Sequence, residues 1–250
     1  MPTTDVVRLA LTVALLLVVA LAAAAWARTG AVRDILVAVL RGTAQLALVA
    51  LLIGWIFRHP VAVVPYLLVM VAVATATATR RIGHGRSLAP RVALAIAAGA
   101  GVVVAVATST GEVALTGPTL LPYAAQVIGG AMVAASLAGQ RLRDDVTDGW
   151  AQVEAWFALG ATPRQAVADL GRRAVARSLV PAVDQTRSAG LVTLPGAFVG
   201  LLLAGAEPWQ AAELQVLVLV GMLAAEAVSA AVLVALVAPV LARRRPLPKA

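Results

Sequence analysis

The sequence predicts an all-α, polytopic membrane protein with about seven transmembrane helices. Hydrophobic residues make up 61% of the chain and charged residues 13%, whereas soluble domains contain roughly 45–50% and about 25%. The apolar residues also occur in blocks of about 20, the length that a helix needs to cross a hydrocarbon core of roughly 30 Å. The strands of a membrane barrel would instead give alternating segments of about ten residues. The whole chain, residues 1–250, is therefore expected to form one transmembrane domain.

Seven apolar blocks are predicted to be the transmembrane spans. Shorter polar or basic stretches separate most of them, and one long polar segment separates the fifth block from the sixth. The predicted spans are residues 6–26, 35–57, 61–79, 92–109, 120–142, 189–206 and 214–241.

Arginine alternates between the loops and predicts the orientation of the chain. Cytoplasmic loops of membrane proteins are enriched in Lys and Arg. The loops after spans 1 and 3, the segment after span 5 and the C-terminal tail are all basic, whereas the other face has only Arg8 and Arg58. This pattern predicts a multi-pass protein of the cell membrane with its N-terminus outside and its C-terminus in the cytoplasm. The bias, together with attraction to anionic membrane lipid, explains the net charge of +8, so no nucleic-acid partner is expected.

Residues 141–187 form the longest polar segment and are predicted to lie in the cytoplasm. Asp144, Asp145 and Asp148 precede apolar residues at helical spacing, which predicts a helix with acidic residues in its first turn. The arginine-rich residues 169–178 predict a second amphipathic helix along the membrane surface. The segment is too short to be a folded catalytic domain.

Within this segment, residues 154–166 (EAWFALGATPRQA) predict a sharp corner between two short helices. Gly160 is placed to end the first helix, because glycine is common at the C′ position. Thr162 can cap the second helix, and Pro163 suits its first turn because the amide there has no partner within the helix. Such a rigid corner is compatible with an ordinary surface helix-turn-helix or with a docking element.

The sequence contains no catalytic signature. The phosphate-binding pattern GxxxxGK[ST] is absent and the single lysine is Lys249, so the chain is not expected to bind ATP in that manner. There is no HExxH zinc helix and no cysteine, which excludes disulfides and thiolate metal sites. We therefore expect a non-enzymatic chain that binds no cofactor itself.

Two places before and within span 6 are candidates for a translocation pathway. Asp184 and Arg187 lie three residues apart, close enough to pair on a helix. The pair could stabilise the membrane boundary or contact a solute. Pro195 and Gly196 interrupt span 6, and broken helices of this kind often line a pathway, although a plain kink would give the same pattern.

Three polar residues lie inside other spans. Glu226 is near the centre of span 7, where a carboxylate is costly in lipid and marks a pathway or a buried partner. Gln45 and Gln126 are expected to form interhelical hydrogen bonds or to contact a solute. Their oxygens suit a hard cation, whereas the spans offer no Cys or His to a soft transition metal. The metal ligands stay undefined, and a chelate or a non-metal solute is also compatible.

The order of residues at two places resembles the permeases of ABC transporters. Glu154-Ala155, followed by Leu159-Gly160-Ala161-Thr162, resembles the cytoplasmic coupling loop that a separate ATPase grips. The stretch VPAVDQTRSAGLVTLPGAFVGLLLAG, residues 180–205, resembles the iron-export (Fet-type) permeases, whose plant relatives are linked to aluminium tolerance. Shorter pieces around Gln45 and Gln126 are similar too, so the resemblance covers most of residues 33–240.

The resemblance implies a permease subunit that exports iron or a related metal or metal complex. It also implies a cytoplasmic ABC ATPase as partner, which would bind ATP and Mg²⁺. The residues implied in ATPase coupling are Glu154, Leu159, Gly160, Ala161, Thr162 and Pro163. One seven-span chain is half of the usual permease, so a homodimer is expected. An ion-coupled secondary transporter with Glu226 as its coupling carboxylate is the main alternative, and an assembly scaffold without transport activity is a third.

Overall fold

The computed structural model describes residues 3–243, which contain ten α-helices and two short 3-10 turns. The helices are α1 (Thr3–Trp26), α2 (Val32–Ile56), α3 (Val63–Ile82), α4 (Ala89–Ser109), α5 (Gly117–Asp148), α6 (Trp150–Ala158), α7 (Pro163–Ala166), α8 (Ala168–Ser188), α9 (Gly196–Leu203) and α10 (Pro208–Leu241). The 3-10 turns, Pro60–Ala62 and Arg86–Leu88, precede α3 and α4. This all-helical content confirms the predicted fold class.

The chain divides into two compact units. The first contains α1 and α2, which contact each other and expose almost all of their side chains. The second begins at Pro60 and contains the other eight helices. In the second unit α10 packs against α4, α5 and α8, while α3 packs against α4 and α5.

Helices α4 and α5 approach α10 closely at positions where a small residue faces it: Gly99 on α4 and Ala131 on α5. A Cβ added to Gly99 of α4 would lie 2.5 Å from the carbonyl oxygen of Ala225 and 3.0 Å from the Cβ of Ser229. On the α5 side, the Ser229 hydroxyl donates a hydrogen bond of 3.1 Å to the Ala131 carbonyl. Small residues permit such contact between membrane helices, where dispersion and interhelical hydrogen bonds drive association. The dense packing around α10 therefore depends on glycine and alanine.

Six of the seven predicted spans are helices long and apolar enough to cross a membrane. They are Val7–Trp26, Val32–Ile56, Pro60–Ile82, Arg86–Ser109, Gly117–Asp148 and Pro208–Leu241. Many of their large apolar side chains point outward, such as Leu68 at 65% exposed and Val106 at 58%. Outward apolar side chains are expected where the solvent is lipid, so the polytopic membrane class is confirmed.

Residues 189–206 contain the interruption that Pro195 and Gly196 predict, but no helix that the structure describes in this block is long enough to cross a membrane by itself. Ala189–Thr193 forms a tight turn with Gly190 at φ +84°, and the Gly190 amide donates to the Thr193 carbonyl at 2.8 Å. Helix α9 begins only after Pro195 and has eight residues. The cause is local, because a positive φ and a proline without an amide hydrogen both interrupt the helical ladder.

Helices α8 and α9 nevertheless follow one another along the length of α10 and run antiparallel to it. Gly171 of α8 contacts the side chain of Val234, and Phe198 of α9 bonds to Gln215. One pocket between α8 and α10 and another between the start of α9 and α10 extend this contact region from Ala238 to Ala212 of α10. These 26 residues of helix span about 39 Å, which exceeds a hydrocarbon core of roughly 30 Å. Residues 189–206, which were expected to form one span, are therefore the last part of a longer, interrupted segment that begins in α8.

The acidic residues after span 5 lie at the end of a helix rather than at its start. Helix α5 continues through Asp148, and Gly149 separates it from α6. Carboxylates at a helix C-terminus oppose the helix dipole. Here Asp145 pairs with Arg177 of α8, and Asp144 pairs with Arg143 at 3.0 Å. One arginine from α8 and one from α5 itself thus compensate carboxylates that the helix dipole disfavours at this position.

The glycine contact between α4 and α10 yields a matched test. Gly99→Ala should destabilise the protein by about 1–3 kcal/mol, because the new methyl group meets the backbone of α10. Gly101→Ala is the control, since no atom lies within 4 Å of its added Cβ. It should be neutral or stabilising by up to about 1 kcal/mol. Unfolding in detergent, followed by circular dichroism, measures both; equal stability of the two variants would contradict the packing described.

Candidate functional site: the 154–166 segment and the Glu226 pocket

The 154–166 segment begins in α6, which ends in a Schellman motif. Gly160 has φ +82°, and its amide donates to the Phe157 carbonyl at 2.9 Å. The Ala161 amide donates to the Trp156 carbonyl at 3.0 Å, which closes the wider ring of the motif. No atom lies within 4 Å of a Cβ added to Gly160, so the backbone angle alone requires glycine here.

A capping box starts the next helix of the segment. The Thr162 amide donates to the Gln165 side-chain oxygen at 2.8 Å, and the Gln165 amide donates to the Thr162 hydroxyl at 3.4 Å. Pro163 occupies the first turn of α7. The sequence identified the roles of Gly160, Thr162 and Pro163 in this corner, but it missed that Gln165 completes the cap.

The corner exposes an apolar tip while its base is buried. Leu159 is 80% exposed and Trp156 46%, and Glu154 is exposed on the same short helix. Val153 and Val167 are fully buried on either side of the tip. Helix α7 contacts both α8 and α10. The segment is therefore a firmly attached projection with an apolar end, as a docking surface requires.

A second candidate site, the Glu226 pocket, lies between α5, α8 and α10. It has a volume of about 350 Å³. Glu226 is 7% exposed, and within the described residues its carboxylate forms no hydrogen bond or ion pair. The polar residues that line the pocket are Gln126 of α5, Ser178 and Gln185 of α8, and Glu226 of α10. Within the described residues, Glu226 is thus a buried carboxylate without a partner in a largely apolar pocket that contains a few polar groups, and an ionisable residue in such a place marks a candidate binding or transport site.

Gly130 makes room for the Glu226 side chain. A Cβ at Gly130 would lie 2.9 Å from the Glu226 carboxylate oxygen and 3.3 Å from its Cγ. Helix α5 therefore presents bare backbone to the carboxylate. Gln126 lies one turn away on the same helix and is exposed, so the pocket opens toward the outer surface of α5 and α8.

The other predicted pathway residues lie elsewhere. Gln45 is exposed on α2 in the first unit. Asp184 and Arg187 form the expected pair, but at 3.9 Å and largely exposed, which favours a weak surface contact. Pro195 and Gly196 form the start of α9, and Pro195 lines a smaller cavity of about 150 Å³ beside α10.

Gln215 is a structural residue that sequence reasoning missed. It is 6% exposed, and its side-chain oxygen accepts a hydrogen bond of 3.2 Å from the Phe198 amide. Pro195 cannot cap α9 with its side chain, so Gln215 satisfies one of the free amides at the start of that helix. A glutamine in the apolar run of α10 was the available signal, but its partner lies 17 residues away.

No group of three or more His, Cys, Asp or Glu side chains that could hold a metal occurs among residues 3–243. The polar side chains among the described residues that line the Glu226 pocket are one carboxylate, two amides and one hydroxyl; the rest of the lining is apolar or glycine. These are oxygen-bearing groups of the kind that hard cations prefer. The pocket could therefore hold a cation together with other ligands, such as water or a chelator.

The long helices, their apolar outer surface and the buried carboxylate of Glu226 define a polytopic helical membrane protein. The chain belongs to the family described as "Uncharacterised protein family (UPF0014)", whose sequence profile matches residues 6–241. The UPF0014 membrane protein YjkA of Bacillus subtilis is 30% identical over 214 residues, which cover 85% of this chain and 86% of YjkA.

Two further relatives carry functional names. The "Probable iron export permease protein FetB" of Escherichia coli is 37% identical over 109 residues, 44% of this chain and 42% of FetB. The "Protein ALUMINUM SENSITIVE 3" of Arabidopsis thaliana is 40% identical over 110 residues, 44% of this chain and 40% of the relative. The match thus spans about two fifths of the plant protein's length. No solved structure matches the chain.

Proposed function

We propose that this chain is the permease subunit of an ABC exporter and works with a separate cytoplasmic ATPase. The observation that carries the proposal is the projecting 154–166 segment, whose apolar tip is exposed while its base is buried. ATP and Mg²⁺ would be bound by the partner chain. The relative named as a probable iron export permease supports the transport class.

The 154–166 segment has the mechanical properties that such coupling needs. Its two helix ends are fixed by the Schellman motif and the capping box, so force applied at Leu159 would move the corner as a unit. Helix α7 contacts α8 and α10, and these two helices carry Gln185 and Glu226 of the pocket. Closure of the ATPase would thus reach the pocket through helices in direct contact.

The proposed solute is iron or a related metal or metal complex. The proposal rests on the E. coli relative's name and on the oxygen groups of the pocket. At roughly 30 Å³ for each water, the pocket volume of about 350 Å³ corresponds to about twelve water molecules, so a hydrated or chelated ion would fit better than a bare one.

Two copies of the chain would complete the transporter. The exposed glutamines 126 and 185 flank the pocket on a surface that would otherwise meet lipid. Neutral polar side chains in membrane helices usually find partners across a helix interface or line a water-filled cavity. The interrupted path through α8 and α9 is compatible with alternating access, because discontinuous helices commonly border transport sites.

The backbone of Gly160 provides a direct test of coupling. Gly160→Val should reduce the yield of co-purified cognate ATPase at least fivefold, because a β-branched residue disfavours the φ of +82° found there. Gly160→Asn is the matched control, since asparagine tolerates this conformation and should retain the complex. Both side chains have free space at this position, so steric clash does not separate them. A Val variant with undiminished complex and ATP-driven transport would refute the assignment of the 154–166 segment.

An ion-coupled secondary transporter is the second candidate, and the unpaired carboxylate of Glu226 favours it. Glu226→Gln keeps the shape of the side chain and removes its charge. In an ABC exporter the variant should still require ATP, with transport affinity for the solute reduced. In a proton-coupled carrier, transport in proteoliposomes would follow a proton gradient without any ATPase, and the variant would lose that dependence. Glu213→Gln, an exposed carboxylate on the same helix, is the control and should change neither property.

A further inference from the structure

A groove runs between α8 and α10 beside α7; it adjoins the Glu226 pocket along both helices but is lined by different residues. Its volume is about 570 Å³. Small apolar side chains form its walls, and two guanidinium groups lie among its lining residues. The residues that matter most are Arg164, Gly171, Arg172, Val175, Ala235 and Ala238.

The walls of this α8–α10 groove come from one face of each helix. Gly171 and Val175 lie one turn apart on α8, and Ala231, Ala235 and Ala238 follow the same spacing on α10. Apart from the two arginines, no charged side chain lines the groove. The surface is therefore an apolar trough with positive charge as its only ionic feature.

The position of the groove along α10 places it at the edge of the membrane. Helix α10 has 34 residues, and its midpoint lies next to Glu226. With that midpoint at the bilayer centre, Ala231 lies about 9 Å and Pro239 about 21 Å from the centre. The hydrocarbon boundary is about 15 Å from the centre. The groove thus extends from acyl-chain depth to headgroup depth.

The charges near the headgroup end are incompletely neutralised. The Arg164 guanidinium forms no ion pair or hydrogen bond within residues 3–243. Arg172 pairs with Asp169 at 3.2 Å, but the same carboxylate pairs more closely with Arg173, at 2.7 Å. One carboxylate therefore serves two arginines. The surplus of positive charge suits a phosphate, which guanidinium groups bind through charge-assisted hydrogen bonds.

We infer that the α8–α10 groove binds an anionic phospholipid, with its phosphate at Arg164 and Arg172 and an acyl chain along the apolar trough. Basic pockets between membrane helices are suited to anionic headgroups. The site goes beyond the proposed function and does not depend on it, because lipid binding requires neither the ATPase nor a transported solute. Arg164 belongs to the 154–166 segment, so the bound lipid would contact that segment directly.

The experiment compares lipids on the delipidated full-length chain in detergent, by native mass spectrometry. The probes are dioleoyl-phosphatidylglycerol and dioleoyl-phosphatidylcholine, which share acyl chains and differ in net charge. Wild type should bind the anionic lipid at least tenfold more tightly. R164Q/R172Q should reduce this preference to about twofold or less. R80Q/R86Q, which removes two exposed arginines at the end of α3 and in the turn before α4, is the matched control and should keep it.

Larger side chains placed in the apolar trough distinguish a lipid-binding site from a site that binds free phosphate. Ala235→Phe should weaken binding of both lipids, and Ala168→Leu at the exposed edge of the groove provides a milder variant if the first fails to fold. Glycerol phosphate should not compete. Equal affinity of wild type for both lipids, retention of the preference in R164Q/R172Q, or competition by glycerol phosphate would overturn the inference. Loss of dimer in these variants with lipid preference intact would also overturn it, because a second copy would then cover the groove.

Discussion

Close backbone packing around α10 is the constraint on which the rest of the structure depends. Gly99 brings α4 against the Ala225 carbonyl, and Gly130 leaves space on α5 for the Glu226 side chain. Ser229 adds a hydrogen bond to α5 on the same stretch of α10. Within a bilayer, exclusion of water cannot hold helices together, so close contact and interhelical hydrogen bonds must do so. The same small residues that permit this contact also leave the Glu226 carboxylate buried, with no partner among residues 3–243.

This arrangement connects the surface of the protein with its interior. Helix α10 contacts the short helix α7 near one end, lines the Glu226 pocket near its middle and bonds α9 through Gln215 near its other end. A rigid displacement of α7 would therefore be transmitted along α10 to Glu226 and Gln215. In this respect α10 is the element that contacts both the 154–166 segment and the Glu226 pocket, which is what the proposed coupling between them would require.

The features that the sequence predicted well are those governed by composition or by neighbouring residues. Apolar block length identified six continuous spans, and the corner at Gly160 and Thr162 followed from cap chemistry within four residues. The errors concern contacts between distant segments. Asp145 lies at the end of α5, where Arg177 of α8, 32 residues further along the chain, compensates its charge. The grouping of Gln126, Gln185 and Glu226 required three helices to be assembled, which periodicity alone does not reveal.

The central claim is that the 154–166 segment moves with an attached ATPase. The chain has no cysteine, so a single spin label at Ala158, which is exposed at the end of α6, would report the distance between the two segments of a dimer. Double electron–electron resonance on the complex with the cognate ATPase can compare this distance in the nucleotide-free state with the distance in a state trapped with ATP. We predict that the distance changes by several ångströms on trapping. An unchanged distance in a complex that hydrolyses ATP and transports solute would contradict the account.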